Sequence, residues 1–307
     1  MHTIPELQGK VTRRRILAGT AGAGLSLGLA TSISGIGRSV TAQEATPSAE
    51  STVGAPTFAD LSYSDSGDPM HKLDLYLPDA TGGPIPLVIW IHGGAWIGGD
   101  KRRVGVTYLL EDGYAIASIN YRLMPEALPP AQIQDANAAA AFLWESAEEY
   151  GFDRERFVLA GASAGGRSTG LVGLSLNDAV PEFEISPDVR FAALLDFFGG
   201  VDNPREDNKR RRRRRQADLT AAERLEILSL IDTLSYIDGD DPPTLIVHGE
   251  EDRVVPIEQS EELAAALEAA GVPVQFERVP GKGHGIVKFQ DEQTKAIVRD
   301  FLATYVG

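Results

Sequence analysis

The sequence predicts an α/β protein built on a mostly parallel sheet, and three observations support this. Short apolar or β-branched runs recur at residues 87–91, 115–119, 157–160, 191–197, 244–248 and 274–278. Helical patterns separate several of them, and such alternation puts helices on both faces of a twisted sheet. The third observation is Gly161-Ala162-Ser163-Ala164-Gly165, where an apolar strand passes into a small-residue helix. A turn that tight needs residues with little or no side chain around its centre.

Taken in chain order, residues 1–42 read as a targeting segment. Thr12-Arg13-Arg14-Arg15-Ile16-Leu17 is a twin-arginine pattern, and a mildly apolar stretch follows at 16–36. That stretch is too weakly hydrophobic for a stable membrane span. Val40-Thr41-Ala42 offers a small-x-Ala cleavage site, so export through the twin-arginine route is expected, to a periplasmic, cell-surface or extracellular destination. Residues 43–56, rich in Ala, Thr, Ser, Pro and Glu, read as a disordered linker.

Residues 57–307 form one domain's worth of chain. Runs at 58–62 and 73–77 look like antiparallel entry strands ahead of the parallel set, for a sheet of about eight strands. A short helix is expected at 104–110 and a long one at 130–150, with Pro near its first turn. The elbow helix runs from Ser163 to Leu171. A helix at 257–270 ends on Gly271, a good C-cap. The strand at 274–278 alternates as one near a sheet edge does, and a last helix spans 291–305. One segment breaks the rhythm. About 45 residues separate Phe198 from Thr244, far more than the usual 2–6 of a βα connection. Residues 201–242 therefore read as a small cap or lid insertion on the rim, with a helix at 219–231.

Composition excludes several functions. There is no cysteine, so neither a disulfide framework nor a thiolate metal site is available. The formal net charge of −15 argues against general nucleic-acid affinity. No metal or other cofactor is expected.

The elbow has the form G-x-S-x-G, which suits a serine nucleophile at the start of a helix. Such a serine needs a base and an orienting acid, in the chain order Ser, Asp or Glu, His. Downstream of Ser163 the histidines are His248 and His284. His248 ends a strand and reads as a packed residue, whereas His284 lies in the Gly-rich loop Gly281-Lys282-Gly283-His284-Gly285 and can reach back over the sheet. Asp252 is the best-placed acid, ahead of Glu250 and Glu251. Oxyanion donors are expected from Ala164 and from His92-Gly93-Gly94-Ala95-Trp96, with Gly93 and Gly94 assigned and Ala95 a third candidate. His92 is expected to pin that loop.

These motifs occur in a fixed order: His92-Gly93-Gly94-Ala95-Trp96 with Gly98-Gly99-Asp100-Lys101, Asn120-Tyr121-Arg122-Leu123 with Pro125-Glu126, the elbow, His248-Gly249 with Asp252, and Gly283-His284-Gly285. Together they resemble the α/β-hydrolase superfamily, near its bacterial feruloyl-esterase-like and carboxylesterase/lipase group. The resemblance covers nearly all of 57–307. It implies the α/β-hydrolase fold and cofactor-free hydrolysis of small-acyl, acetyl or aryl carboxylic esters, by a Ser163–His284–Asp252 triad and an acyl-enzyme. The expected partner is a small-molecule or carbohydrate ester. The same triad also serves peptidases and amide or formamide hydrolases. A non-catalytic binding protein on the same fold is the alternative of another class.

Two features depart from the family, Arg167 and the basic run at 209–215. Arg167 stands where a His is common, and it reads as either a contact to an acidic substrate group or a structural pairing. Trp96 reads as either acyl-pocket lining or loop packing. The run Arg210, Arg211, Arg212, Arg213, Arg214 and Arg215 after Lys209 suggests a solvated loop, or contact with an anionic surface. Tyr121 and Arg122 are expected to order the strand end, and Asp135 to pair with a cation. Oligomeric state is not legible.

Overall fold

The computed structural model describes residues 54–79, 82–178, 180–201 and 219–307. The expected targeting segment, most of the expected linker and the arginine run lie outside the described residues. The strands are β1 (Phe58–Ser62), β2 (Lys72–Tyr76), β3 (Ile85–Ile91), β4 (Ala115–Ile119), β5 (Phe152–Ala162), β6 (Ala193–Phe197), β7 (Thr244–Gly249) and β8 (Val274–Val279). They form one eight-stranded sheet in the order β1-β2-β4-β3-β5-β6-β7-β8. The first two are antiparallel to their neighbours, and every pair from β4 to β8 is parallel. This is the α/β-hydrolase fold expected from the sequence.

The two-residue period of the strands builds two cores. In β3, Leu87, Ile89 and Ile91 face one core, while Val88 and Trp90 face the other. The first core also holds Ile133 and Leu143 of helix α1 (Ala131–Glu145), Leu171 of α2 (Ala164–Leu174), and Leu263 and Leu267 of α4 (Glu258–Ala270). The second holds Val298, Phe301 and Leu302 of α5 (Glu292–Tyr305). Because both faces are covered, β3, β4, β6 and β7 are buried along their whole length. β8 lies at the edge and is only partly covered.

Helix ends follow local chemistry. Asp291 caps α5 by accepting from the Thr294 amide. Thr220 and Glu223 form a reciprocal capping box on α3 (Ala221–Leu230), a helix within the rim insertion that buries none of its residues. Two helical expectations change. The segment expected at 130–150 breaks at Ser146, leaving α1 and a single turn, Ala147–Tyr150, that ends on left-handed Gly151. At 104–110 only a 3-10 turn forms, Thr107–Leu110. Among the described residues, no helix is long and apolar enough to cross a membrane.

Buried ion pairs fasten the entry strands to this frame. Asp135 of α1 meets His71 Nε2 at 3.0 Å and takes Nε and Nη2 donors from Arg122, the latter at 2.6 Å, together with the Arg122 amide at 2.7 Å. Its side chain is almost wholly buried. Removing a buried carboxylate strands its cations, which typically costs about 3–5 kcal/mol. Arg122 keeps a third of its side chain in solvent, so the expected loss for Asp135→Ala is about 2–3 kcal/mol. Urea unfolding measures it, and a change below about 0.5 kcal/mol would show that the pairing is not structural.

Candidate active site

β5 runs straight into Ser163, and α2 begins at the next residue. Ser163 has φ 57° and ψ −118°, a conformation rarely open to a residue with a side chain. It is held from both sides. Its amide donates to the Phe197 carbonyl at 2.9 Å, and its carbonyl accepts from the Arg167 amide at 3.0 Å. A Cβ on Gly165 would collide with the Ile91 carbonyl oxygen, so the helix can approach β3 only because that residue is glycine.

The loops after β7 and β8 bring the acid and the imidazole to this turn. His284 Nε2 lies 2.9 Å from Ser163 Oγ, and His284 Nδ1 lies 2.7 Å from Asp252 Oδ2. The carboxylate can only accept, so Nδ1 carries the proton and Nε2 presents its lone pair to the serine hydroxyl. Asp252 Oδ1 accepts from the amides of Val254 and Val255 at 2.8 and 2.9 Å. Burial alone would raise the Asp252 pKa. Hydrogen bonds from His248, His284 and the two amides outweigh it, and the carboxyl titrates well below the usual range.

His248 is packed, as expected, but it also touches the site. Its Nε2 lies 3.1 Å from the Val255 carbonyl and 3.4 Å from Asp252 Oδ2, and its Nδ1 faces Ser260 Oγ at 2.7 Å. It therefore props the acid. Phe198 packs edge-on against His284, with centroids 4.8 Å apart, and also against His248. The sequence reading missed Phe198, and the Gly199-Gly200 that follows it was the available signal of a turn at the strand end.

On the other side of Ser163 lies the loop after β3. A Cβ on Gly93 would sit 3.2 Å from Ser163 Cβ and 2.7 Å from the Ala162 carbonyl, so only glycine lets the loop come this close. Gly94 has φ 130°, and Ala95 and Trp96 are also left-handed. Ala164 heads α2, where amides have no acceptor within the helix. The loop is fastened at many points. Tyr121 donates to the His92 carbonyl at 2.8 Å and stacks on its ring at 4.4 Å. Further along, Lys101 pairs with Asp74 at 2.6 Å and Asp60 at 2.9 Å, and its amide donates to Asn120.

Trp96 and Arg167 form a packing pair. Trp96 is 4% exposed and its indole N–H donates to Ser168 Oγ at 2.9 Å. Arg167 is 7% exposed, lies over the Trp96 ring at 5.1 Å and donates to the Ile231 carbonyl beyond α3. The structure thus seats Trp96 beneath the loop and uses Arg167 to tie the insertion to the elbow helix. Among the described residues, no group of three His, Asp or Glu side chains is placed to hold a metal ion.

The BD-FAE family profile matches residues 73–267, and that of the TAP-like proteins matches 232–305. The chain belongs to the BD-FAE family, within the α/β-hydrolase superfamily. It is 31% identical to esterase LipC of Mycobacterium tuberculosis over 240 residues, covering 73% of this chain and 58% of LipC. The chain spans roughly three-fifths of the length of the curated relatives it matches. Among solved structures, a truncated carbohydrate esterase from gut microbiota superposes with TM-score 0.70 at 28% identity, covering 81% of this chain and 95% of that one. Inhibited esterase B from Lactobacillus rhamnosis gives TM-score 0.66 at 27% identity, covering 81% and 88%.

His92 offers a test of the loop. Its Nδ1 faces the Gly93 carbonyl at 2.8 Å and so bears the proton, which leaves Nε2 buried with no hydrogen-bond partner among the described residues. Burial, opposed by that carbonyl and by the Asp100 charge, lowers its pKa from 6.5 to about 4. Between those values the unfolded chain takes up a proton that the native state refuses, so stability falls as pH drops from 6.5 to 4. The contribution is on the order of 3 kcal/mol. His92→Gln should flatten that part of the stability profile when urea unfolding is compared at pH 7 and pH 4.5. Parallel losses in variant and wild type would show that His92 is not the group titrating.

Proposed function

We propose that the protein is an exported serine hydrolase that cleaves carboxylic esters of small-acyl, acetyl or aryl type. The observation that carries this reading is the unbroken hydrogen-bonded series Ser163–His284–Asp252 at a strained strand-to-helix turn. The names of its relatives as esterases agree with it.

In this reading Ser163 Oγ attacks the ester carbonyl while His284 Nε2 takes its proton. Asp252 holds the imidazole in the tautomer that leaves Nε2 free, and it stabilises the cation that forms. The oxyanion forms between the head of α2 and the Gly93–Gly94 turn, where the amides of Ala164, Gly93 and Gly94 receive it. His284 then gives its proton to the leaving oxygen, and the alcohol departs. Water attacks the acyl-enzyme with His284 again as base, which restores Ser163 and releases the acid. The loop is fixed before substrate arrives, so little reorganisation accompanies charge development.

Hydrolysis of p-nitrophenyl acetate checks the assignment. Ser163→Ala and His284→Ala should each lower kcat by about 10³-fold or more, and Asp252→Asn by about 10⁴-fold through the wrong tautomer. An active Ser163→Ala would remove the nucleophile from this account, and a wild type that is neither active nor labelled by an organophosphonate would point to a binding protein. Export is proposed from Arg13-Arg14-Arg15 and the apolar stretch behind them. Residues 1–50 fused to a reporter should carry it across the membrane only while the arginines are present. Transport that survives replacement of all three by Lys would exclude the twin-arginine route.

A further inference from the structure

An open cleft of about 660 Å³ adjoins the site on the imidazole side. His284 forms part of its wall, with Glu251, Arg253, Val254, Gly281, Lys282, Gly283 and Lys288 making up the rest. Three cations on one small surface are unexpected in a chain of 44 acidic and 29 basic residues. Several bases elsewhere on the surface find acids: Arg122 with Asp135, Arg156 with Asp153, Arg278 with Glu250 and Glu261, and Arg299 with Asp112. Within the cleft only Lys282 does so, through Asp291. Among the described residues neither Arg253 nor Lys288 forms an ion pair, although Glu251 lines the same wall. Both are exposed to the solvent that fills the cleft.

The cations also stand close to the chemistry. Arg253 directly follows Asp252. The Lys288 ammonium lies over Gly283, 3.0 Å from where a side chain on that residue would begin, and His284 is the next residue. Any side chain at 283 would push the ammonium away. Val254, 61% exposed, adds an apolar wall.

The geometry points to this cleft as the subsite for the leaving alcohol, and to an alcohol that carries a carboxylate or similar anionic group. The inference rests on the proposed ester hydrolysis and names its substrate class. His284 must hand its proton to the leaving oxygen, so the alcohol departs past His284 and into the cleft that His284 lines. There its carbon body meets Val254 and its anion meets Arg253 and Lys288. The overall charge of −15 would repel such a substrate, and these two cations offset that repulsion at the cleft. The bond changes are those of ester hydrolysis, with water consumed and the acid and the anionic alcohol released.

Two isosteric esters test this, 3-carboxyphenyl acetate and its neutral counterpart 3-carbamoylphenyl acetate, with phenyl acetate as reference. The reading is the ratio of kcat/KM for the anionic ester to that for the neutral one, in which any disturbance of the triad cancels. Exposed ion pairs contribute roughly 0.2–1 kcal/mol each. The ratio should therefore fall about threefold in Arg253→Gln or Lys288→Gln and about tenfold in the double variant. In the wild type it should also fall between 20 mM and 500 mM NaCl, whereas in the double variant, left facing the acidic body, that fall should disappear or reverse. Ser163-dependent hydrolysis of phenyl acetate with a ratio unmoved by the substitutions would overturn the subsite and leave the esterase reading standing. Failure of the wild type to hydrolyse any of the three esters would overturn both.

Discussion

A carboxylate with no exposed surface holds the site together. Asp252 stands where the loop after β7 meets the loop after β8, and it stays charged there because four donors surround it. Two are backbone amides of its own loop, one is the His284 ring and one is the His248 ring. The amides fix the turn that follows β7, and His248 and Ser260 lock that turn to α4. His284 is then aimed by that same charge. Without these donors, the two rings first and the amides after them, burial would push the carboxyl toward neutrality, and a neutral acid would lose its hold on one imidazole tautomer.

Ser163 depends on a different kind of constraint. Ser163 is held in a strained conformation by close packing of backbone against backbone. β3, β5 and α2 meet where Gly165 touches the Ile91 carbonyl and Gly93 touches the Ala162 carbonyl. Strain at this point persists because the buried parallel sheet on either side over-determines it. The antiparallel entry strands serve the same end from a distance. Asp74 on β2 and Asp60 on β1 hold Lys101, and with Asn120 and Tyr121 they fix both ends of the loop beside Ser163.

Much of this was legible in the sequence, and the reasons differ by residue. Strand positions followed from continuous apolar runs, since a parallel sheet buries both faces. Ser163, Asp252 and His284 could be chosen because chemistry limits the residue types and chain order limits the candidates, and the structure sets the three in contact. Asp135 met its cation because a mid-helix acid amid alanines has few other uses. Trp96 and Arg167 were ambiguous because their fate depends on what covers them, here Ser168 and the Ile231 carbonyl from distant chain segments. The break at Ser146 was hidden because nothing in Glu145-Ser146-Ala147 forbids a helix. Arg253 and Lys288 were invisible as a pair, because only the meeting of two loops makes them neighbours of one cleft.

The sheet order divides the site unequally. Ser163 leaves β5, in the middle of the sheet, whereas His284 hangs from β8, at the edge and only partly covered. Edge elements open locally at lower free energy than central ones. An excursion that lifts β8 and its loop would carry the imidazole away while β3 to β7 stay paired. The serine would then sit in its strained turn without a partner to take its proton. In the proposed reaction, such an opening would remove the base before the nucleophile and leave Ser163 inert until β8 closed again.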